Sequence, residues 1–336
     1  MPTPMIDRLS HRPLGRQRLL RGTLGGLTAI GVAVALAATA VAAPVGVPVS
    51  QPGSITAWGY DGDKQVSGTP TDNSTAAIAA ADGHSLALTA DGYITAWGSD
   101  GDKQVSGTPA GGGYTAIAAG GYHSLALTVD GHITAWGNND FGQISGTPTG
   151  GSFTTIAAGN GHSLALTADG HITAWGNNDF GQISSAPVGG GYTAIATSGY
   201  HSLALTEDGH ITAWGYDGDK QVSGAPAGGG YTAIAAGYFY SLALTADGRI
   251  TAWGYDGQVS GAPTGGGYSA IAAGGFHSLA LTEDGHITAW GSNGAGQISG
   301  APAGGGYTAI AAGGNHSLAL DAHETTPSGS LSNFGS

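Results

Sequence analysis

Residues 123–146, HSLALTVDGHITAWGNNDFGQISG, return along the chain almost unchanged. Tryptophan marks the beat at Trp58, Trp97, Trp136, Trp175, Trp214, Trp253 and Trp290, spaced 39 residues apart five times and then 37. A fixed period of this length identifies a repeat architecture before any local assignment is made. Within the stretch, HSLALT and ITAWG alternate in hydropathy with period two, so each reads as a strand. Asp-Gly between them is a hairpin signal, and a two-residue turn of this kind places both its residues at positive φ. Seven short all-β units predict a closed ring of blades, a seven-bladed β-propeller.

The ends of the repeat region specify how the ring closes. The first ITAWG (Ile55 to Gly59) has no HSLAL before it, and the last HSLAL (His316 to Leu320) has no ITAWG after it. Pairing these two orphans completes the seventh blade and removes the exposed edges of an open array. Each blade is expected to hold about four strands: YTAIAAG, HSLALT, ITAWG and QISG or QVSG. The small residues of IAAG suit a crowded strand beside the central channel. Strand direction then sorts the loops. If YTAIAAG runs up, the loop after it and the loop after Trp-Gly both lie at the top. The Asp-Gly turn and the Pro/Gly-rich loop lie at the bottom.

Outside the repeats the chain changes character. Residues 1–43 carry basic residues up to Arg21, an uncharged stretch and a small-residue site at Ala40-Val41-Ala42, which reads as a secretory signal. Residues 44–53 read as a linker, 54–320 as the propeller and 321–336 as a flexible tail. A secreted monomer, free of the membrane once the signal is cleaved, is expected; the alternative is an uncleaved membrane anchor, since the apolar stretch is long enough to span. From Ala43 onward 21 acidic residues face 4 basic ones, a net charge of −17. Such a surface repels nucleic acid and anionic lipid and favours a basic partner. There is no cysteine, so no thiol chemistry or thiolate metal site.

Comparing the copies separates scaffold from surface. The tryptophans recur and read as packing between or within blades. His84, His123, His162, His201, His277 and His316 share one blade position, with Tyr240 in the seventh. Ring neighbours a blade apart are too distant to share a metal, so no metal site is expected. The Asp61/Asp63, Asp100/Asp102 and Asp217/Asp219 pairs lack the further ligands of a calcium loop and read as solvated acids. No position combines a unique nucleophile, base and acid, so no catalytic residue, enzyme activity or cofactor is assigned.

The copies disagree in the top loops. The aromatic positions there are Tyr60, Tyr122, Phe141, Phe180, Tyr200, Tyr216, Tyr238, Phe239, Tyr240, Tyr255 and Phe276. Aromatics among Asn, Gly and Asp are what a protein-binding surface uses. Irregularities cluster around Tyr238-Phe239-Tyr240: the next Trp-Gly loop (Tyr255-Asp256-Gly257) is two residues short, and Arg249 replaces a histidine. That sector is expected to be the centre of a contact patch.

The recurring G-x-x-x-x-G-Q, A-A-G-x-x-H-S-L-A-L-T-x-D-G and Trp-Gly motifs resemble the regulator of chromosome condensation repeat family over Ser54 to Leu320. The resemblance implies a seven-bladed propeller. No blade carries the insertion that serves as a wedge for a small GTPase, so nucleotide exchange is not expected. The short repeat, the signal and the aromatic rim are also similar to the secreted bacterial β-lactamase-inhibitory family within that superfamily. That likeness implies a class A β-lactamase as partner. By position, Tyr122, Tyr200, Phe239 and Phe276 match its first-loop contacts, and Phe141, Phe180 and Tyr255 its second-loop contacts. A glycan or cell-wall ligand is the rival reading, since aromatic–Asp pairs also suit sugars.

Overall fold

The structure is a computed structural model and describes residues 53–321. The signal (1–43), the linker up to residue 52 and the tail from residue 322 lie outside the described residues. Seven antiparallel three-stranded sheets make up the ring. One blade consists of an inner strand Tyr114–Ala119, a middle strand His123–Thr128 and an outer strand Ile133–Gly137. The inner strands of successive blades pack on one another right round the ring, which places the small IAA residues at the channel as expected. In the seventh blade Ile55–Gly59 pairs antiparallel with His316–Asp321, Ile55 opposite Leu320 and Trp58 opposite Ser317. Closure by the first ITAWG strand and the last HSLAL strand is therefore real. Gly53 bridges to Thr75, and Asp321, assigned from sequence to the tail, ends the strand and accepts hydrogen bonds from Ser54 N and Oγ.

The core lies between the blades. Leu86 and Leu88 of one blade meet Ile117, Ala119 and Ala126 of the next, under Trp136. Leu125 and Leu127 face the following blade in the same way, against Ile156, Ala158 and Ala165. The pleat thus presents leucine on one face and alanine on the other, so each blade fills the shallow face of its neighbour. Each indole N–H also donates to the carbonyl of a glutamine in the preceding blade. Trp136 bonds Gln104 O at 2.8 Å, and Trp58 bonds Gln297 O at 2.8 Å across the closure. All seven tryptophans do this, so the bonds form a complete circle.

Two local expectations are corrected. QISG is not a fourth strand but a compact helical turn. Gly146 N bonds Gly142 O, Asn139 Oδ1 accepts from Ile144 N and Ser145 N, and Gln143 Oε1 accepts from Phe141 N. These local side-chain acceptors satisfy the backbone that a ladder would otherwise have to satisfy. In the blade with the short loop the turn is a single helical turn, Asp256–Val259. The bottom hairpin, moreover, has three loop residues and not two. Gly131 N bonds Thr128 O, Thr128 N bonds His132 O, and only Gly131 has positive φ, at 78°.

Candidate functional site

The recurrent histidines are the first residues to place, because each sits beside a serine hydroxyl. His123 Nε2 lies 2.7 Å from Ser163 Oγ of the next blade, and His316 Nε2 lies 2.7 Å from Ser85 Oγ across the closure. Six such pairs occur, and Tyr240 supplies the seventh link by accepting from Ser278 Oγ at 2.8 Å. All six histidines and their serines are fully buried. Burial pushes the imidazoles down, His162 to about 3 and His123 to about 4, so they are neutral. This circle ties blade to blade and reaches no solvent.

Tyr240 therefore leaves the candidate surface. It is completely buried, and its hydroxyl also donates to His277 O at 2.6 Å. A tyrosine at the histidine position reaches into the neighbouring blade and not into the top loop. Arg249 is likewise remote from the patch: it follows the bottom turn and pairs with Asp247 at 2.8 Å.

The top loops are held together in every blade. Asn138 N bonds Tyr122 O, Tyr216 N bonds Tyr200 O and Tyr255 N bonds Phe239 O, at 2.8–2.9 Å. The glycine after each tryptophan makes this approach feasible. Gly137 has φ 107°, and a Cβ there would stand 2.7 Å from Tyr122 O. The Asp or Asn at the start of the second loop is structural. Asp61 Oδ1 accepts from Val66 N and Ser67 N, and Asp100 Oδ1 from Val105 N and Ser106 N. These backbone donors hold both carboxyls below the usual range. Asp61, Asp100 and Asp217 are solvent-exposed, as expected from sequence, and in addition cap the turn.

On this frame most of the aromatic positions become one surface. Phe180, Tyr200, Tyr216, Phe239, Tyr238 and Phe276 form an unbroken chain of ring contacts with centroids 5.1–6.4 Å apart, spanning four consecutive blades. Edge-to-face contacts dominate, and Tyr200 stacks on Phe239. Tyr255 joins from the side, where it shares a cavity of about 460 Å³ with Phe239 and Phe276. Tyr60, Tyr122 and Phe141 are exposed on the top loops of other blades and make none of these ring contacts. Phe141, at 54%, is the most exposed aromatic ring of the top loops.

Tyr238 has a second part. It turns into the channel mouth, where its phenol meets the Asp82 carboxyl and the Asn160 side chain. A Cβ on flanking Gly199 or Gly275 would come within 3.1 or 3.0 Å of its ring. Burial raises the Asp82 carboxyl, and burial together with the Asp82 charge raises the Tyr238 phenol well above its ordinary value. Asp82, Asn160 and Ser198 line this mouth and were not singled out from the sequence. Their one signal was that each breaks the Ala-Gly-Gly pattern of the other copies.

Five of the repeats, residues 114–143, 153–182, 192–221, 231–258 and 268–297, match the family described as Regulator of chromosome condensation (RCC1) repeat. No curated protein matches the chain. Among solved structures, Prp20p from Saccharomyces cerevisiae is similar at TM-score 0.67 and 19% identity, over 80% of this chain and 91% of that one. Human WBSCR16 is similar at TM-score 0.60 and 22% identity, over 73% and 86% of the two chains. The ectodomain of the Physcomitrella patens receptor kinase CR4 is similar at TM-score 0.60 and 28% identity, over 70% and 65%. Motif, strand order and ring closure agree: the chain is a seven-bladed β-propeller, five of whose repeats match the RCC1 repeat family.

Proposed function

We propose that this propeller binds another protein through the aromatic surface at the top of the ring, and that it does so outside the cell. The observation that carries the reading is the run of six touching aromatic rings across four blades, on loops that the scaffold holds rigidly. Large aromatics supply most of the energy of protein interfaces, and a patch already packed loses little side-chain entropy on binding. Prp20p, similar in fold, is described with binding properties to Gsp1p and histones, and in complex with Kap60, all proteins. A binding role fits the His–Ser pairs as well. They resemble catalytic dyads in composition, but buried between blades they have no path to a substrate.

A class A β-lactamase is the first partner to test, because the rim positions Tyr122, Phe141, Phe180, Tyr200, Phe239, Tyr255 and Phe276 match the contact positions of the inhibitory family. Titration of the purified protein into a class A β-lactamase, read by loss of hydrolysis, is expected to show saturable inhibition. Absence of inhibition would remove that partner, and inhibition that survives in the Phe239→Ala/Tyr255→Ala variant would remove the Phe239–Tyr255 sector as its contact.

A further inference from the structure

The cavity beside Tyr255 exists because one loop is two residues short. The Trp253-Gly254 loop closes directly into the helical turn Asp256–Val259, and the space so left is lined by Asp219, Phe239, Tyr255, Gln258, Phe276 and Ser292. Three aromatic rings and one carboxylate thus share a pocket of about 460 Å³. The repeat supplies an internal standard for Asp219. Its equivalent Asp102 accepts a hydrogen bond from Asn138 Nδ2 of the next blade at 3.0 Å. In the short-loop blade the residue in Asn138's place is Tyr255, and no donor replaces the amide. Among the described residues the Asp219 carboxylate accepts no hydrogen bond, and no Lys or Arg forms an ion pair with it, Lys220 beside it included. The neighbouring acids Asp217 and Asp256 add to the negative field, in a chain that carries −17 from Ala43 onward.

We propose that this pocket receives an arginine side chain from an exposed loop of the partner protein, its guanidinium flat against the aromatic rings and paired with Asp219. The inference rests on the protein-binding reading above and names the chemistry at its centre. Aromatic faces attract a cation through the ring quadrupole, more strongly when water is excluded. Arginine suits the site better than lysine, since its planar, weakly hydrated head stacks on a ring while offering two parallel N–H groups to one carboxylate. A neutral side chain of the same shape would fill the space but leave Asp219 unpaired.

The test uses the full chain with its Phe and Tyr rings isotopically labelled, titrated by NMR with the tripeptide acetyl-Gly-Arg-Gly-amide. The counterpart probe has citrulline, the neutral isostere, in place of arginine. The arginine peptide is expected to move the Phe239, Tyr255 and Phe276 signals and to bind at least tenfold more tightly than the citrulline peptide. Asp219→Asn is expected to lower the arginine affinity at least fivefold while leaving the ring signals of the free protein in place, which shows that the pocket is still formed. Equal binding of the two peptides, absence of shifts at millimolar peptide, or shifts confined to other rings such as Tyr93 would overturn the proposal. If the arginine peptide fails while a protein partner still loses affinity on Phe239→Ala, the cation pocket falls and the aromatic surface stands. If both fail, both readings fall.

Discussion

The interior of the ring and its top face are built from the same repeat, yet they behave as opposites. Between the blades every copy makes the same contact: seven indoles on seven carbonyls, and seven His or Tyr side chains on seven serines. At the top each blade carries a different pair of residues, and rings accumulate in four adjacent blades only. The bottom face sharpens the contrast. Its turns repeat nearly unchanged, with exposed Asp–His pairs such as Asp130–His132, and its large exposed apolar side chains are the isolated Tyr93, Val129 and Val188. Identical contacts are what a closed ring requires, because one misfitting blade breaks the circle. Divergence concentrated at one end is what a partner of irregular shape requires.

If the interior serves stability and the top serves binding, each can be damaged separately. The largest effect is expected from acid. Six buried histidines stay neutral in the fold, near 3 to 4, whereas the unfolded chain protonates them near 6.5. The unfolded state therefore binds more protons below pH 6.5, so stability is full above that value and falls as the pH drops towards 3. At pH 5 the loss is roughly 2 kcal/mol per histidine, and six act together, enough to offset an ordinary folding free energy. Circular dichroism against pH should show cooperative unfolding between about pH 6 and 4. A fold unchanged down to pH 3 would mean that the imidazoles are not held as described.

Next in size is Trp136→Ala, which empties the contact between two blades and removes the bond to Gln104. It should cost about 3–5 kcal/mol in chemical denaturation. Partner affinity measured on the folded fraction should be unchanged, since Trp136 is buried away from the rim. Phe239→Ala reverses the pattern. It should weaken partner binding by more than about 1 kcal/mol by calorimetry. The denaturation midpoint should move less than for Trp136→Ala, because Phe239 is only half-buried. The smallest effect lies in the second top loop, where Lys64, Lys103 and Lys220 sit at φ 64–65° and other copies place Gly142, Gly181 and Gly296. Lys103→Gly should relieve a left-handed strain and stabilise the protein by up to about 1 kcal/mol. Destabilisation would show that the lysine side chain holds the loop.

The ring was legible because closure is written in unpaired motifs: an ITAWG lacking its partner at one end and an HSLAL lacking its partner at the other. The loop parity followed from strand direction alone, and the inter-loop bonds such as Asn138 N to Tyr122 O bear it out. QISG misled because four alternating residues look like a strand. The competing acceptors, Asn139 and Gln143, become visible as caps only when the chain is folded. Tyr240 misled because an aromatic within an aromatic run reads as surface, although its place in the repeat belongs to the buried histidine. The pocket at Asp219 was hidden for a different reason. It arises from a missing donor and a shortened loop in neighbouring blades, so no single stretch of sequence contains it.

The division between scaffold and surface is tested most directly by affinity capture from culture supernatant with three immobilised forms: the wild-type chain, a top-face variant Phe239→Ala/Tyr255→Ala and a bottom-face variant Tyr93→Ala/Val129→Asp. The expected result is a protein retained equally by the wild type and the bottom-face variant and lost from the top-face variant, with all three forms equally folded. Retention by the top-face variant together with loss from the bottom-face variant would contradict the assignment of the binding face.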